Sequence, residues 1–148
     1  MKVVIIAVLL MLSAICSATE TAFSSCNRIR LKKLADDGNK SAKKAMNICD
    51  NFDKALTAIL VGNNVVNISS SSLATVLFTE KFGKGSVGLA TIVMTVLVLI
   101  FGEILPKSLA KENSERFSIL MAAPLSAFMF IITPITAIFM GIKSGVSK

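Results

Sequence analysis

The chain has 148 residues, 53% of them hydrophobic, and a mean hydropathy of +0.72, which excludes an ordinary soluble domain of this length and indicates an integral membrane protein. Sixteen Lys and Arg residues against nine acids give a formal charge of +7. In a membrane protein such an excess of basic residues indicates the orientation of the chain and contact with lipid headgroups more than it indicates binding of nucleic acid. Because Trp, Tyr and His are absent, we expect neither a nucleic-acid partner that stacks on aromatic rings nor an enzyme with a histidine base.

The first predicted element is a transmembrane helix over about residues 3–24. Residues 3–12 are apolar and small residues follow them, a pattern that a secretory signal with a cleavage site also shows. The helical pattern continues through Glu20 to Phe23, beyond any such cleavage point. Because about 20 residues at about 1.5 Å each suffice to cross the hydrocarbon, we favour a spanning helix.

A polar, basic segment over residues 27–54 comes next, and Arg28 or Lys32 near its start is predicted to pair with Glu20. Residues 36–39, Asp-Asp-Gly-Asn, predict that one short helix ends and another begins after a turn. By the positive-inside rule this segment is cytoplasmic. We therefore expect a multi-pass protein of the cell membrane with its N-terminus outside and its C-terminus in the cytoplasm.

Two further spans are predicted over about residues 55–78 and 86–106, joined by a short external turn. The third span closes on an acid and a helix breaker, Glu103 and Pro106. Pro106 has no N–H, so in an α-helix the carbonyl of Gly102, beside that acid, loses its donor. A carboxylate here either faces a partner, a cavity or an ion, or already lies among the headgroups, and both interpretations stay open at this point.

The last segment, about residues 117–142, is apolar but contains Pro124 and Pro134, which divide it into pieces of about ten residues. We expect a broken helix at, or re-entering, the cytoplasmic interface, with a straight fourth span as the alternative. The predicted fold is an all-α membrane protein, a single domain over residues 1–148 with three transmembrane helices and a cytoplasmic-side juxtamembrane belt of helices.

Polar side chains of the three predicted spans fall at a similar depth, in the cytoplasmic half of the membrane. Ser17 and Thr21 share one face of the first helix, and Asn63 and Asn67 share one face of the second. With Glu103 they form a set of hard oxygen donors that suits Mg²⁺, Ca²⁺ or Na⁺ and disfavours zinc or copper. The structural alternative is that the hydroxyls bond back to the preceding turn and the asparagines join helices.

The three cysteines, Cys16, Cys26 and Cys49, have no CxxC spacing. An odd, scattered set beside apolar segments is typical of reduced structural thiols. It indicates neither a disulfide framework nor a zinc site.

Three segments resemble the signature segments of the transmembrane domain shared by the CorC and CNNM proteins, also called DUF21. These segments are SATETAFS at residues 17–24 with RIRL at 28–31, GNNVVN at 62–67, and GEILPKS at 102–108. Their order, each on its own predicted span, makes the resemblance specific over essentially the whole chain. It departs at Thr19, where serine is common.

The resemblance implies a homodimer in membrane lipid that binds Mg²⁺ between its helices and exports it. Residues 102 and 103 would then lie in a distorted helix, with Gly102 and Glu103 at the metal. The remaining ligands implied are Ser17, Asn63, Asn67 and, more weakly, Thr21. Glu20 fits a structural or gating role. Na⁺ suits the same donors and is a candidate exchange ion.

Members of this family usually carry cytosolic CBS domains that bind ATP, and nothing in residues 1–148 matches them, so nucleotide regulation is assigned to no residue here. Two alternatives to Mg²⁺ transport stay open. The same residues could move another hard cation, or the domain could be a non-transporting anchor and dimerisation module for cytosolic sensor domains, with its polar groups joining helices.

Overall fold

The computed structural model describes residues 1–146, and only the backbone at residues 136, 139, 140 and 142–146. The described residues form seven α-helices and no strand: α1 Lys2–Ser25, α2 Arg28–Asp36, α3 Lys40–Asp50, α4 Phe52–Phe82, α5 Val87–Leu97, α6 Leu105–Glu112 and α7 Ser114–Val146. A 3₁₀ turn, Lys84–Ser86, precedes α5, and a π-helical segment, Val98–Ile104, joins α5 to α6. The prediction of an all-α membrane fold is confirmed.

The helices α1 and α4 run antiparallel and share a long interface. An ion pair between Lys2 and Glu80 joins the start of α1 to the end of α4, and Ser13 bonds Asn63 near the middle of both. The chain then reverses at Gly83, whose φ of +81° favours glycine. The run from α5 to α6 therefore lies parallel to α1.

The basic segment folds as predicted, into α2 and α3 with a turn between them. Asn27 accepts hydrogen bonds from two backbone N–H groups of α2, and Asn39 does the same for α3. Between the helices Gly38 has a φ of +93°, a left-handed conformation that stops the first helix. These caps satisfy N–H groups that the helix itself leaves without acceptors.

The helices packed around α1 bury two main apolar clusters at opposite ends of the bundle. Near α2 and α3 the larger cluster includes Phe23, Leu31 and Leu125, and near the α4–α5 turn the smaller one joins Ile6 to Met94. The polar residues that pair α1 with α4 lie between these clusters.

Three stretches of the described chain are long and apolar enough to cross a membrane, namely Lys2–Ser25, Lys84–Glu112 and Ser114–Ile135. The first and second contain the predicted spans at residues 3–24 and 86–106, and they extend further because the helices continue into polar sequence. The helix α4, with 31 residues, is also longer than its predicted span of 55–78. Its Asn and Ser residues make it less apolar than the three stretches that are apolar enough to cross a membrane.

The predicted break in the last segment is wrong, because α7 is one helix that includes both Pro124 and Pro134. A proline removes a single backbone donor and bends a helix, while the other hydrogen bonds of the turn remain. Thr133 adds a bond from its hydroxyl to the carbonyl of Met129, at 2.7 Å. The interfacial placement of residues 117–142 stays a prediction.

Candidate cation site

Predicted ligands of the second and third spans, Asn63 and Gly102, lie against Ser13 of the first span, where α1, α4 and the π-helical segment meet. Ser13 Oγ donates to Asn63 Oδ1 at 3.0 Å. On the other side of Ser13 lies Gly102, where an added Cβ would stand 2.9 Å from Ser13 Oγ. We call the following set the polar cluster: Ser13, Ser17, Asn63, Asn67, Gly102 and Glu103.

Ser17 and Asn67 flank the Ser13–Asn63 hydrogen bond from opposite directions. Each lies four residues further along its own helix, about 6 Å, and the two helices are antiparallel. The Cα–Cβ bonds of an α-helix tilt towards its N-terminus, so both side chains lean back towards the level of Ser13 and Asn63. This tilt reduces only slightly the offset of about 12 Å between Ser17 and Asn67 along the helix axes, so the two residues lie at different levels, one on each side of the Ser13–Asn63 hydrogen bond.

Two buried oxygens of the polar cluster have no hydrogen-bond partner among the described residues, Ser17 Oγ and Asn67 Oδ1. Ser17 is fully buried. Leaving a buried polar group unpaired costs about 1–3 kcal/mol in proteins, and such groups are rare.

Neighbouring hydroxyls show that this lack of a partner is unusual in the bundle. Thr19 bonds the carbonyl of Ile15 at 2.6 Å, and Thr75 bonds that of Ser71 at 2.9 Å. Both bonds run to the carbonyl four residues earlier, the common solution for a hydroxyl inside an apolar helix. Ser17 has an equivalent carbonyl, that of Ser13, and does not bond it.

The third predicted span, from α5 to α6, is distorted beside the polar cluster, as the family resemblance implies. Its backbone widens to a π-helix over Val98–Ile104, and the N–H of Leu105 bonds the carbonyl of Ile100, five residues back. Pro106 can donate to no carbonyl. If residue 106 followed the same pattern as Leu105, its N–H would bond the carbonyl five residues back, that of Phe101. Because Pro106 has no N–H, the Phe101 carbonyl lacks this donor, whereas in a regular α-helix the carbonyl affected would be that of Gly102. Short π segments of this kind frequently mark functional sites.

Glu103 is the acid of this distorted segment, half-buried and with no hydrogen bond or ion pair to any described residue. Glu20, Glu80 and Glu115 each pair with a lysine or an arginine, and the remaining glutamate, Glu112, is exposed. Glu103 is therefore a half-buried carboxylate that no described basic side chain pairs with.

Two residues singled out in the sequence have other surroundings. Glu20 pairs with Lys107 at 3.6 Å, so the predicted pairing with Arg28 or Lys32 is wrong, because α6 passes closer to the end of α1 than α2 does. Thr21 is half-exposed and lies eight residues beyond Ser13, about 12 Å along α1, beside that ion pair.

Ser13 is the residue that sequence reasoning missed. It is fully buried and holds Asn63 in place, yet it lies in the apolar stretch of the predicted span and outside the first signature segment. A signal was present, because Ser13, Ser17 and Thr21 recur every four residues and so share one helix face.

No group of three or more His, Cys, Asp or Glu side chains that could hold a metal occurs among the residues that the structure describes. The donors of the polar cluster are instead hydroxyl and amide oxygens with one carboxylate. Such a set suits hard cations, and it is poor in the soft donors that zinc or copper prefer.

A match to a family of known proteins agrees with this arrangement. The cyclin M transmembrane N-terminal domain, CNNM, matches residues 4–148. The chain belongs to this family. The resemblance drawn from the three sequence segments is confirmed, and this CNNM domain is a multi-pass membrane domain.

Relatives of this CNNM domain occur in bacteria and plants. A UPF0053 protein of Haemophilus influenzae is 39% identical over 89% of the chain, and the UPF0053 inner membrane protein YfjD of Escherichia coli is 36% identical over 91%. A chloroplastic DUF21 domain-containing protein of Arabidopsis thaliana is 33% identical over 97%. The chain spans 31%, 34% and 22% of the length of these relatives, respectively.

Proposed function

We propose that this CNNM domain transports Mg²⁺ as its substrate, through the polar cluster between α1, α4 and the π-helical segment. The observation that carries the proposal is the pair of buried, unpartnered oxygens, Ser17 Oγ and Asn67 Oδ1, together with the half-buried carboxylate of Glu103, which forms no ion pair with any described residue.

The same observation separates transport from a purely structural role. If the polar groups served only to join helices, each buried one would have a helix partner, as Ser13 and Asn63 do at 3.0 Å. Ser17 and Asn67 have none, so their burial lowers the stability of the fold and joins no helices. A cation that passes between the helices would use both oxygens.

The donor set also suits release of the ion. Mg²⁺ gives up its waters reluctantly and usually binds proteins through one or two carboxylates. The polar cluster offers one, Glu103, so the charge of the ion is only half balanced. Neutral oxygens complete the contacts without holding the ion permanently.

Direction, coupling and assembly belong to the proposal as well. With the basic α2–α3 segment in the cytoplasm, export would carry Mg²⁺ from that end of the bundle towards the α4–α5 turn, and Na⁺ suits the same donors in exchange. A homodimer fits the exposed face of α4, where Asn64, Ser69 and Ser72 would otherwise put polar groups into lipid.

Titration of Mg²⁺ into the purified chain in detergent, followed by calorimetry, tests the proposal. We expect saturable binding that Glu103→Gln weakens by at least the roughly 10- to 100-fold that loss of an outer-shell partner costs a metal site. Glu112→Gln is the matched control, because Glu112 is exposed at the end of the same helical run. Mn²⁺, Ca²⁺ and Na⁺ added as competitors rank the cations.

Either of two results would overturn the proposal. The first is a folded chain that binds no Mg²⁺ at millimolar concentrations, which would favour an anchor and dimerisation module. The second is equal binding by the unmodified chain and Glu103→Gln, which would place the ion elsewhere.

A further inference from the structure

Two cysteines that are far apart in sequence lie side by side at the α2–α3 end of the bundle. Cys26 Sγ and Cys49 Sγ are 3.5 Å apart, close enough for one thiol to donate to the other, although 23 residues separate them in the chain. Cys26 directly follows α1, and Cys49 lies in the last turn of α3, three residues before the start of α4. Both are free thiols.

The surroundings of the pair favour reaction at Cys26. Its side chain is half-buried, whereas Cys49 is 2% exposed. The Arg28 guanidinium donates to the Cys49 carbonyl at 2.9 Å and so stays beside both sulfurs. A cavity of about 460 Å³ reaches the pair from the Cys49 side, where Arg28, Cys49 and residues 50–54 line it, and a small molecule there would be next to the sulfur that contacts Cys26.

The pKa values of the two thiols shift in opposite directions. The hydrogen bond with Cys49 and, to a lesser extent, the charge of Arg28 lower the pKa of Cys26 to about 7, against the opposing effects of burial and Glu115. The same hydrogen bond and burial raise the pKa of Cys49, and Asp50 adds to that rise. Near neutral pH Cys26 is thus partly thiolate, the nucleophilic form, while Cys49 keeps its proton.

We propose that Cys26 and Cys49 are a redox-active dithiol that closes to a disulfide when a peroxide reaches the adjacent cavity. The two sulfurs need only approach from 3.5 Å to about 2.05 Å. The bond would tie the end of α1 to the end of α3.

The reaction balances with hydrogen peroxide as the oxidant. The Cys26 thiolate attacks one peroxide oxygen, the O–O bond breaks, and hydroxide leaves and takes a proton to become water, so that Cys26 becomes a sulfenic acid. Cys49 then attacks that sulfur, the S–O bond breaks, and the hydroxyl leaves with the Cys49 proton as a second water. Two thiols and one peroxide give one disulfide and two waters.

The disulfide has a consequence for transport, and this part rests on the proposed function. The helix α1 contains Ser13 and Ser17, and α4, which contains Asn63 and Asn67, begins three residues after Cys49. A bond from the end of α1 to the last turn of α3, just before α4, would restrain the movement of α1 against α4 that passage of an ion requires. Oxidation should therefore slow Mg²⁺ flux, and a dithiol reductant should restore it.

Mapping of the cysteines in the purified full chain tests the dithiol directly. After hydrogen peroxide, alkylation and digestion, mass spectrometry should show an intramolecular Cys26–Cys49 link two hydrogens lighter than the free pair, with Cys16 still alkylated. The rate should rise as pH rises through about 7, the pKa of Cys26. Cys16→Ser is the matched control and should react like the unmodified chain, while in Cys26→Ser the Cys49 thiol should stay free. Oxidation of Cys16 with Cys26 and Cys49 still free, or links between chains only, would overturn the proposal.

Flux of Mg²⁺ into proteoliposomes that contain the same three proteins tests the consequence separately. Peroxide should slow flux in the unmodified chain and in Cys16→Ser, and leave Cys26→Ser unaffected. Unchanged flux in a chain whose mapped disulfide has formed would refute the restraint. Absence of flux in the reduced chain would count against the proposed transport function, while the mapping still decides the dithiol.

Discussion

At the scale of single residues, Ser13 and Ser17 show that the same side chain can have opposite effects on stability. Both are serines on one face of α1, and both are fully buried. Ser13 donates to Asn63 and stabilises the contact between α1 and α4, while the Ser17 hydroxyl has no partner and is a cost to the folded state. Burial alone therefore does not separate the two serines, whereas the presence or absence of a hydrogen-bond partner does.

Alanine at each position should separate the two roles. Ser13→Ala leaves the Asn63 amide oxygen without its donor, so we expect a loss of about 1 kcal/mol in the free energy of unfolding. Ser17→Ala removes an unpaired buried hydroxyl, so stability should be unchanged or rise by up to about 1 kcal/mol, while Mg²⁺ binding weakens. Denaturant unfolding in detergent and calorimetry on the same samples measure both quantities. A Ser17→Ala protein that is less stable than Ser13→Ala would show that Ser17 is structural.

At the scale of elements, the π-helical segment is held against α1 by the lack of a side chain at Gly102. A Cβ there would stand 2.9 Å from Ser13 Oγ and 3.6 Å from a methyl group of Val98. Ser13 could move aside only by giving up its bond to Asn63. Close approach of the two helices and the hydrogen bond across them thus depend on one glycine.

Gly102→Ala tests this dependence, with Gly88→Ala as a control in the same helical run. We expect Gly102→Ala to cost about 1–3 kcal/mol of stability, as overpacking does, and to reduce Mg²⁺ binding. At Gly88 nothing lies within 4 Å of an added Cβ. There the higher helix propensity of alanine should leave stability unchanged or raise it by up to about 1 kcal/mol. Equal effects of the two substitutions would show that the contact at Gly102 is unimportant.

The same elements show what sequence patterns reveal and what they miss. The helix order, the capped α2–α3 pair and the positions of Asn63 and Glu103 follow from local sequence, because turn residues, apolar length and motif spacing are local signals. The Ser13–Asn63 bond and the Cys26–Cys49 contact join residues 50 and 23 positions apart, so no local pattern contains them. The error in α7 has a related cause, since Pro124 and Pro134 weaken a helix locally while the bundle around them keeps it intact.

At the scale of the whole molecule, the distribution of charge bears on the orientation in the membrane and so on the direction of the proposed transport. The basic α2–α3 segment and the α4–α5 turn lie at opposite ends of the bundle, because α4 runs from one to the other. If α4 crosses the membrane, its polar face must be shielded, and pairing of Asn63 with Ser13 and burial of Ser70 shield part of it. On the proposed function, the end that faces the cytoplasm sets the side from which the ion enters the polar cluster.

Cysteine labelling in cells tests that orientation. Lys40→Cys in α3 and Lys84→Cys in the α4–α5 turn, each in a chain whose three native cysteines are replaced by serine, put one exposed thiol at each end. The positive-inside rule predicts that a membrane-impermeant maleimide labels Lys84→Cys in intact cells and Lys40→Cys only after the membrane is disrupted. The reverse pattern would turn the export direction around, and labelling of both in intact cells would mean that α4 does not cross. A C-terminal reporter extends the test to α7, since an interfacial α7 keeps the reporter in the cytoplasm and a crossing α7 moves it outside.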